Sequence, residues 1–127
     1  MGNKKIMLIT GTRKGIGKYL AEYYTGNGYQ VIGCSRGVID FKMDNYQHFR
    51  LDVSDELSVK KMFIEVRKKY GRLDVLVNNA GIASRNHSLL TPISTARKIL
   101  NTNVIGNFMC SREAAKLMKV NRLSLIH

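Results

Sequence analysis

Apolar residues occur along the chain in short continuous runs, which alternate with segments where they recur every three or four positions. Continuous runs of this kind are typical of strands buried on both faces of a parallel sheet, whereas the longer period is typical of amphipathic helices. The runs predict four strands, over residues 4–10, 29–34, 48–53 and 73–77. The periodic segments predict helices over 15–27, between Asp55 and Gly71, just after Pro92, and over 102–120.

The alternation of strands and helices predicts an α/β fold of Rossmann type, a doubly wound parallel sheet built by right-handed crossovers. We expect strand order 3-2-1-4, with a ligand beyond the carboxyl ends of strands 1 and 4, where the winding reverses. A short fifth strand is predicted to start at residues 124–126, which would leave the sheet incomplete. On the last long helix the apolar period predicts these core positions: Val104, Phe108, Ala115 and Met118.

The composition is that of one ordered globular domain: 127 residues, 44% hydrophobic, with a single proline. No apolar run approaches the roughly 20 residues that span a bilayer. Lys4 and Lys5 precede an apolar stretch, but it is too short for a signal peptide and turns at once into a glycine-rich segment. We therefore expect a cytoplasmic protein without a membrane partner.

The formal net charge of +12 raises the alternative of a nucleic-acid-binding protein. The basic residues are scattered, without a basic helix or an aromatic-interleaved patch, so we expect no nucleic-acid partner. The cysteines, Cys34 and Cys110, and the histidines are equally dispersed, which predicts free thiols and no metal site.

The most informative segment is TGTRKGIG, Thr10 to Gly17, directly after the first apolar run. A strand followed by a glycine-spaced turn and a helix lets the backbone approach a phosphate, and the helix N-terminus supplies N–H groups and a favourable dipole. Gly11 permits the turn, while Gly15 and Gly17 permit close approach of backbone and helix. The spacing is Gly-x3-Gly-x-Gly, which differs from the commoner Gly-x-Gly-x2-Gly of dinucleotide sites.

Three further motifs follow in order: Leu51-Asp52-Val53, Asn78-Asn79-Ala80-Gly81 and the NTNVIG segment over 101–106. Together with the glycine loop they make the chain resemble the short-chain dehydrogenase/reductase family. The resemblance runs from about residue 4 to the end and covers the N-terminal half of a usual member. It implies an NAD(P)(H)-dependent oxidoreductase that reduces carbonyls or oxidises alcohols.

The resemblance also assigns roles to residues. Asp52 would bind the adenine amino group with Val53 packing nearby, although Asp52 could instead cap the following helix. Asn103 would be the catalytic helix asparagine that holds a water in a proton relay, although its amide could simply satisfy backbone. The remaining cofactor-binding positions are those of the glycine loop and of the segment along the ribose: Gly11, Thr12, Arg13, Gly15, Ile16, Gly17, Asn79, Ala80 and Gly81.

The end of the second strand indicates which dinucleotide is preferred. NAD enzymes usually place an acidic residue there to bind the ribose hydroxyls. This chain has Cys34-Ser35-Arg36 instead, so Ser35 and Arg36 could bind a 2′-phosphate, with Arg13 as a second cation. The pattern predicts NADP(H) in preference to NAD(H), unless Arg36 is only a solvated loop cation.

The family's chemistry also needs a serine and a Tyr-x3-Lys pair, and none of the six tyrosines has lysine four residues later. We therefore interpret residues 1–127 as an NADP(H)-binding Rossmann domain truncated before the catalytic segment, and expect no carbonyl reductase turnover from it. A complete chain would take a small carbonyl or alcohol substrate and form a homo-oligomer. The alternative is a catalytically inert dinucleotide-binding module.

Overall fold

The computed structural model describes residues 4–81 and 92–125, and at its centre is a four-stranded parallel sheet. The sheet order is the predicted one, β3-β2-β1-β4, and β1 therefore lies between β2 and β4. Leu8 of β1 is paired with Ile32 on one side and with Leu76 on the other. The strands are β1 (Ile6–Thr10), β2 (Gln30–Ser35), β3 (Tyr46–Arg50) and β4 (Val75–Val77).

Helices cover both faces of the sheet, which gives the predicted doubly wound architecture. The helical elements are α1 (Gly15–Thr25), α2 (Glu56–Tyr70), α3 (Ile93–Leu100), a π-helical turn (Asn101–Gly106) and α4 (Asn107–Leu125). One core layer joins the sheet to α1 through residues such as Ile9 and Ala21. The other joins it to α2 and α4 through residues such as Leu8, Met62 and Cys110. Every residue of β1 is buried, as its continuous apolar run predicts.

The bounds of α2 follow from residues at its two ends. The helix starts after Asp55 and stops at Gly71, whose φ of +75° is a left-handed conformation that favours glycine. The Gly71 N–H donates to the carbonyl of Arg67 at 2.9 Å. Lys68 and Lys69 in the last turn lie near the negative end of the helix dipole, which is a favourable arrangement.

The predicted bounds of β3 are wrong, because the strand begins at Tyr46 and ends at Arg50. Tyr46 pairs with Val31 of β2, which brings the start of the strand forward. Beyond the strand, the Asp52 carboxylate accepts the backbone N–H of Ser54 at 2.9 Å and its hydroxyl at 2.8 Å. This local turn replaces ladder hydrogen bonds and ends the strand early.

The predicted buried face of the last helix is also wrong in part. Val104 is 56% exposed and Phe108 is 61% exposed, and Ala115 is exposed as well; only Met118 packs partly against the core. A different face is buried, and its small residues let the helix approach the rest of the molecule closely: a Cβ on Gly106 would lie 2.8 Å from Cγ2 of Val53. The buried positions are Thr102, Gly106, Met109, Cys110, Ala114 and Leu117.

The predicted fifth strand is contradicted at the residues that the structure describes, because Ser124 and Leu125 continue α4. Ile126 lies outside the described residues. From Asn107 to Leu125 the sequence contains neither Gly nor Pro, and residues of high helix propensity are frequent, so the helix continues. Within the described ranges, none of the helices is both long and apolar enough to cross a bilayer.

Candidate functional site

The glycine loop between β1 and α1 forms a tight turn at the carboxyl edge of the sheet. Gly11 has φ +74° and Gly15 has φ +64°, both in the left-handed region that favours glycine. Gly17 is buried in the first turn of α1, and a Cβ there would overlap the carbonyl oxygen of Gly11. The first turn of α1 can therefore lie directly on the loop only because position 17 has no side chain.

The segment after β4 is hydrogen-bonded to this loop. The Thr10 hydroxyl oxygen accepts the backbone N–H groups of Asn79 at 3.0 Å and of Ala80 at 2.8 Å. The Asn79 side-chain amide donates to the carbonyl of Gly11 at 3.1 Å. The neighbouring Asn78 donates its amide to Ser111 of α4 at 3.0 Å. The loop and the end of β4 are thus one connected unit.

A cleft of about 480 Å³ opens at this edge of the sheet. Its walls come from the glycine loop, the ends of β2 and β3, the segment after β4 and the π-helical turn. Eight of the predicted cofactor-binding residues line it: Gly11, Arg13, Ser35, Arg36, Asp52, Val53, Ala80 and Gly81.

The other predicted positions lie around the cleft without lining it. Thr12 is buried beneath the loop, Gly17 and Asn79 support the loop, and Gly15 and Ile16 are exposed at the start of α1. Asn103 lies beside the cleft wall, since a Cβ built on Gly81 would be 3.2 Å from its Oδ1. The lining also contains residues that the sequence analysis missed: Lys14, Cys34, Gly37, Leu51 and Thr102.

Lys14 is the most informative of these missed residues, because it adds a third cation to Arg13 and Arg36 in the described lining, against the single carboxylate of Asp52. A lysine directly before Gly15 was a visible signal in the motif. Cys34 carries no reactive thiolate, because burial is the largest effect that raises its pKa, to about 12. The cleft is therefore cationic and suited to an anionic ligand.

Three of the four charged side chains in the described lining already have partners: Arg36, Asp52 and Arg13. Arg36 Nη1 lies 3.9 Å from Asp52 Oδ2, and these side chains are 46% and 38% exposed, so the pair is weak. Arg13 Nε donates to the carbonyl of Val38 at 3.3 Å, which holds its side chain against the turn after β2. The Asp52 carboxylate also accepts from Ser54, in the turn before Asp55, which is the N-cap residue of α2.

A chain of four hydrogen bonds connects two walls of the cleft. Thr12 Oγ1 lies 2.6 Å from Tyr46 Oη, which lies 2.7 Å from His48 Nδ1. His48 Nε2 lies 2.8 Å from Ser35 Oγ, and Ser35 donates to the carbonyl of Gly37 at 2.7 Å. We call this set, Thr12, Tyr46, His48, Ser35 and the Gly37 carbonyl, the hydroxyl–imidazole chain.

The direction of every bond in this chain follows from its last member. A carbonyl can only accept, so the Ser35 proton points to Gly37 and His48 Nε2 must donate to Ser35. Burial lowers the pKa of His48, so its ring is neutral and Nδ1 accepts from Tyr46. Thr12 then donates to Tyr46, whose pKa is raised to about 12, mainly by burial. Each hydroxyl proton therefore has one assigned acceptor.

Gly33 of β2 makes room for this chain. A Cβ at Gly33 would overlap both Tyr46 Oη and Thr12 Oγ1. The hydroxyls lie directly over the strand backbone, at a position that any other residue type would fill with carbon. The absence of a side chain at position 33 is therefore a condition for the chain to form.

We expect the free energy of unfolding to decrease as the pH falls below about 6.5, because the pKa of His48 is lowered from that value on folding. Between the two pKa values the unfolded chain binds more protons at this ring, so stability rises with pH there and is lost on acidification. His48→Gln should remove the contribution of His48 to the pH dependence of stability. Denaturant midpoints measured from about pH 7.5 to about pH 5 would show this as a smaller slope against pH. Identical slopes for the two proteins would contradict the prediction.

Another groove, of about 530 Å³, lies between the end of β3 and α2. It is lined by Phe49, Arg50, Leu51 and residues of α2, and includes no part of the glycine loop. Among the residues that the structure describes, no group of three or more His, Cys, Asp or Glu side chains is placed to hold a metal ion. The cleft at the glycine loop is therefore the site that unites the predicted residues.

Comparison with known proteins shows which family the chain is similar to. A family model described as short chain dehydrogenase matches residues 5–125. Dehydrogenase/reductase SDR family member 11 of Bos taurus is 30% identical over 130 residues, which cover 94% of this chain and 51% of the relative. The 3-oxoacyl-(acyl-carrier-protein) reductase FabG of Salmonella typhi is 30% identical over 128 residues, 96% of this chain and 52% of the relative. The chain thus spans about half the length of the curated relatives it matches.

A solved structure, that of ElxO with NADP bound, superposes on the chain with a TM-score of 0.81. The two sequences are 38% identical, and the match covers 89% of this chain and 50% of ElxO.

Proposed function

Because the chain belongs to the short-chain dehydrogenase family, we propose that its cleft binds a nicotinamide dinucleotide and that it serves hydride transfer between that cofactor and a carbonyl or alcohol substrate. The observation that carries the proposal is the glycine loop, on which a side chain at Gly17 would collide with the Gly11 carbonyl. Such bare backbone at the N-terminus of a helix suits a pyrophosphate. Asn79, bonded to Gly11, holds the loop in this form.

Each wall of the cleft suits one part of such a cofactor. Gly11 and Gly15 would offer backbone to the pyrophosphate. Asp52, at the end of β3, would accept from the adenine amino group, and Ala80 and Gly81 would lie along a ribose. When bound, the nicotinamide supplies or accepts the hydride, while the chain's own residues bind and orient the cofactor.

We propose NADP(H) as the preferred form. Arg13, Lys14 and Arg36 line the cleft, and Asp52 is the single carboxylate in its described lining. Guanidinium groups are suited to bidentate phosphate contacts, whereas an acidic residue after β2 would repel a 2′-phosphate. The likeness to ElxO, whose structure contains NADP, supports this preference.

We propose for Asn103 a place on the active-site side of the cleft, because it lies beside Gly81 on the π-helical turn. π-Helical turns inside α-helices are frequent at functional sites. The substrate would be a ketone, a sugar derivative or a 3-oxoacyl thioester; the name of the Salmonella typhi relative supports the last.

We expect the purified 127-residue chain to bind NADPH, measured by the change in cofactor fluorescence on titration. Gly15→Asp should lower the affinity at least about tenfold, because a carboxylate would face the phosphates. No atom lies within 4 Å of a Cβ built at Gly15, so the variant meets no steric obstacle to folding apart from its φ of +64°. A folded wild-type chain that binds neither NADPH nor NADH would refute the proposed function.

A further inference from the structure

We propose that Tyr46 and His48 are positioning residues that set the preference for NADP(H) by fixing the backbone around Arg36. The inference rests on the proposed function, since it concerns how the cleft distinguishes two dinucleotides. Neither residue lines the cleft itself. Both act through the hydroxyl–imidazole chain, of which Ser35 and the Gly37 carbonyl are the last members.

The last bond of the hydroxyl–imidazole chain joins Ser35 and Gly37, the residues directly before and after Arg36. Ser35 Oγ donates to the carbonyl of Gly37 at 2.7 Å, which closes a short turn with Arg36 in its middle. The Ser35 proton is used in this bond, so its hydroxyl has no second proton for a phosphate. Ser35 therefore contributes to phosphate binding by shaping the turn, and His48 Nε2, at 2.8 Å from Ser35 Oγ, keeps that hydroxyl in place.

The end of β3 restrains the same turn through its backbone and through a side chain. Arg50 Nε donates to the carbonyl of Arg36 at 3.1 Å, and the Leu51 N–H donates to the carbonyl of Ser35 at 2.9 Å. Arg36 thus has a fixed backbone and a half-exposed guanidinium that already reaches Asp52 at 3.9 Å. A cation held in this way loses less conformational freedom when it binds an anion.

Thr12, the first member of the hydroxyl–imidazole chain, lies in the glycine loop. Thr12 is fully buried, and its neighbours Gly11 and Arg13 both line the cleft. The Arg13 side chain packs against Gly37, because a Cβ there would be 3.0 Å from Arg13 Nε. Through Tyr46 and His48, the two segments that carry Arg13 and Arg36 are joined, and their spacing is fixed.

The hydroxyl–imidazole chain can be tested by comparing a disruptive and a conservative substitution at position 48. His48→Leu removes the donor to Ser35, whereas the amide of His48→Gln can still donate to it. We expect His48→Leu to lower the ratio of NADPH to NADH affinity about tenfold, as for the weakening of a charge-assisted contact, and His48→Gln to restore most of it. Tyr46→Phe, which removes a single oxygen atom, should lower the ratio about threefold.

Arg36→Ala supplies the background that identifies the route of the effect. If His48 acts through Arg36, then His48→Leu should change the ratio in the wild-type background and leave it unchanged when Arg36 is absent. Affinities for both dinucleotides and thermal midpoints would be measured for each protein. Should His48→Leu fail to fold, Tyr46→Phe in both backgrounds provides the same comparison.

The outcomes separate this inference from the proposed function. Equal losses of affinity for NADPH and NADH in His48→Leu, or an unchanged ratio, would overturn the inference and leave dinucleotide binding intact. A wild-type ratio near one would overturn it as well. If the folded wild-type chain binds neither dinucleotide, the proposed function fails and the inference fails with it.

Discussion

Gly17→Ala should abolish NADPH binding and lower the free energy of unfolding by about 1–3 kcal/mol, the usual cost of forcing an extra carbon into a packed site. The added Cβ would overlap the Gly11 carbonyl and press on the Asn79 side-chain amide. Relief of the overlap requires the start of α1 to move away from the glycine loop. If the Asn79 amide were displaced instead, its hydrogen bond to the Gly11 carbonyl, which ties the loop to the end of β4, would be lost. Urea denaturation and NADPH titration would measure the two effects.

Gly26, nine residues further along the chain and directly after the last turn of α1, provides a matched control. Its φ of −74° is available to any residue, and a Cβ there would meet its nearest neighbour, the Glu22 carbonyl, at 3.4 Å. Gly26→Ala should therefore change stability by less than about 1 kcal/mol, in the stabilising direction if at all. Wild-type stability and binding in Gly17→Ala would show that the close packing on the Gly11 carbonyl is dispensable.

Arg36→Ala should weaken NADPH binding by about 10- to 150-fold, which corresponds to roughly 1.5–3 kcal/mol for a hydrogen bond to a charged group. NADH has no 2′-phosphate, so its affinity should change little. Both dissociation constants would be measured by fluorescence titration at two salt concentrations, because the cationic contribution weakens as ionic strength rises.

Arg67→Ala is the control for net charge, since it removes one exposed cation from the last turn of α2, outside the described cleft lining. It should leave both affinities close to wild type. Parallel losses for NADPH and NADH in Arg36→Ala would instead assign Arg36 to a part of the cofactor that the two dinucleotides share.

The two central strands of the sheet were predictable because they are buried on both faces. β1 and β2 need apolar residues at nearly every position, and the sequence shows this as continuous apolar runs that contain residues such as Leu8 and Ile32. The end of β3 was not predictable from hydrophobicity, because Leu51 and Val53 are as apolar as a strand. What stops the strand is a turn made by the Asp52 carboxylate with Ser54.

The face of α4 was mispredicted for a related reason. Periodicity favours large apolar residues such as Phe108 as core positions, whereas the packing here depends on Gly106, whose lack of a side chain admits Val53. The period of apolar residues along a sequence does not reveal where a small residue is needed for a close helix contact. The π-helical turn before α4 also shifts the phase of the helix relative to a regular period.

At the candidate site, the glycine loop and the segment after β4 were identified from motifs, and eight of the predicted residues line one cleft. The hydroxyl–imidazole chain could not be predicted, since Thr12, Ser35 and Tyr46 come from three elements and meet only when β1, β2 and β3 are side by side. Lys14 could have been found, because it stands within the loop motif itself.

Gly33 has a consequence for how this sequence can diverge. Its α-hydrogen faces the Tyr46 and Thr12 hydroxyls, so positions 12, 33 and 46 share a single small volume. A relative that gains a side chain at position 33 must lose bulk at 46 and at 12 in the same lineage, whereas one that keeps glycine can keep both hydroxyls. The three positions should therefore co-vary as a group, and glycine at 33 should accompany tyrosine at 46 even where the rest of β2 has changed.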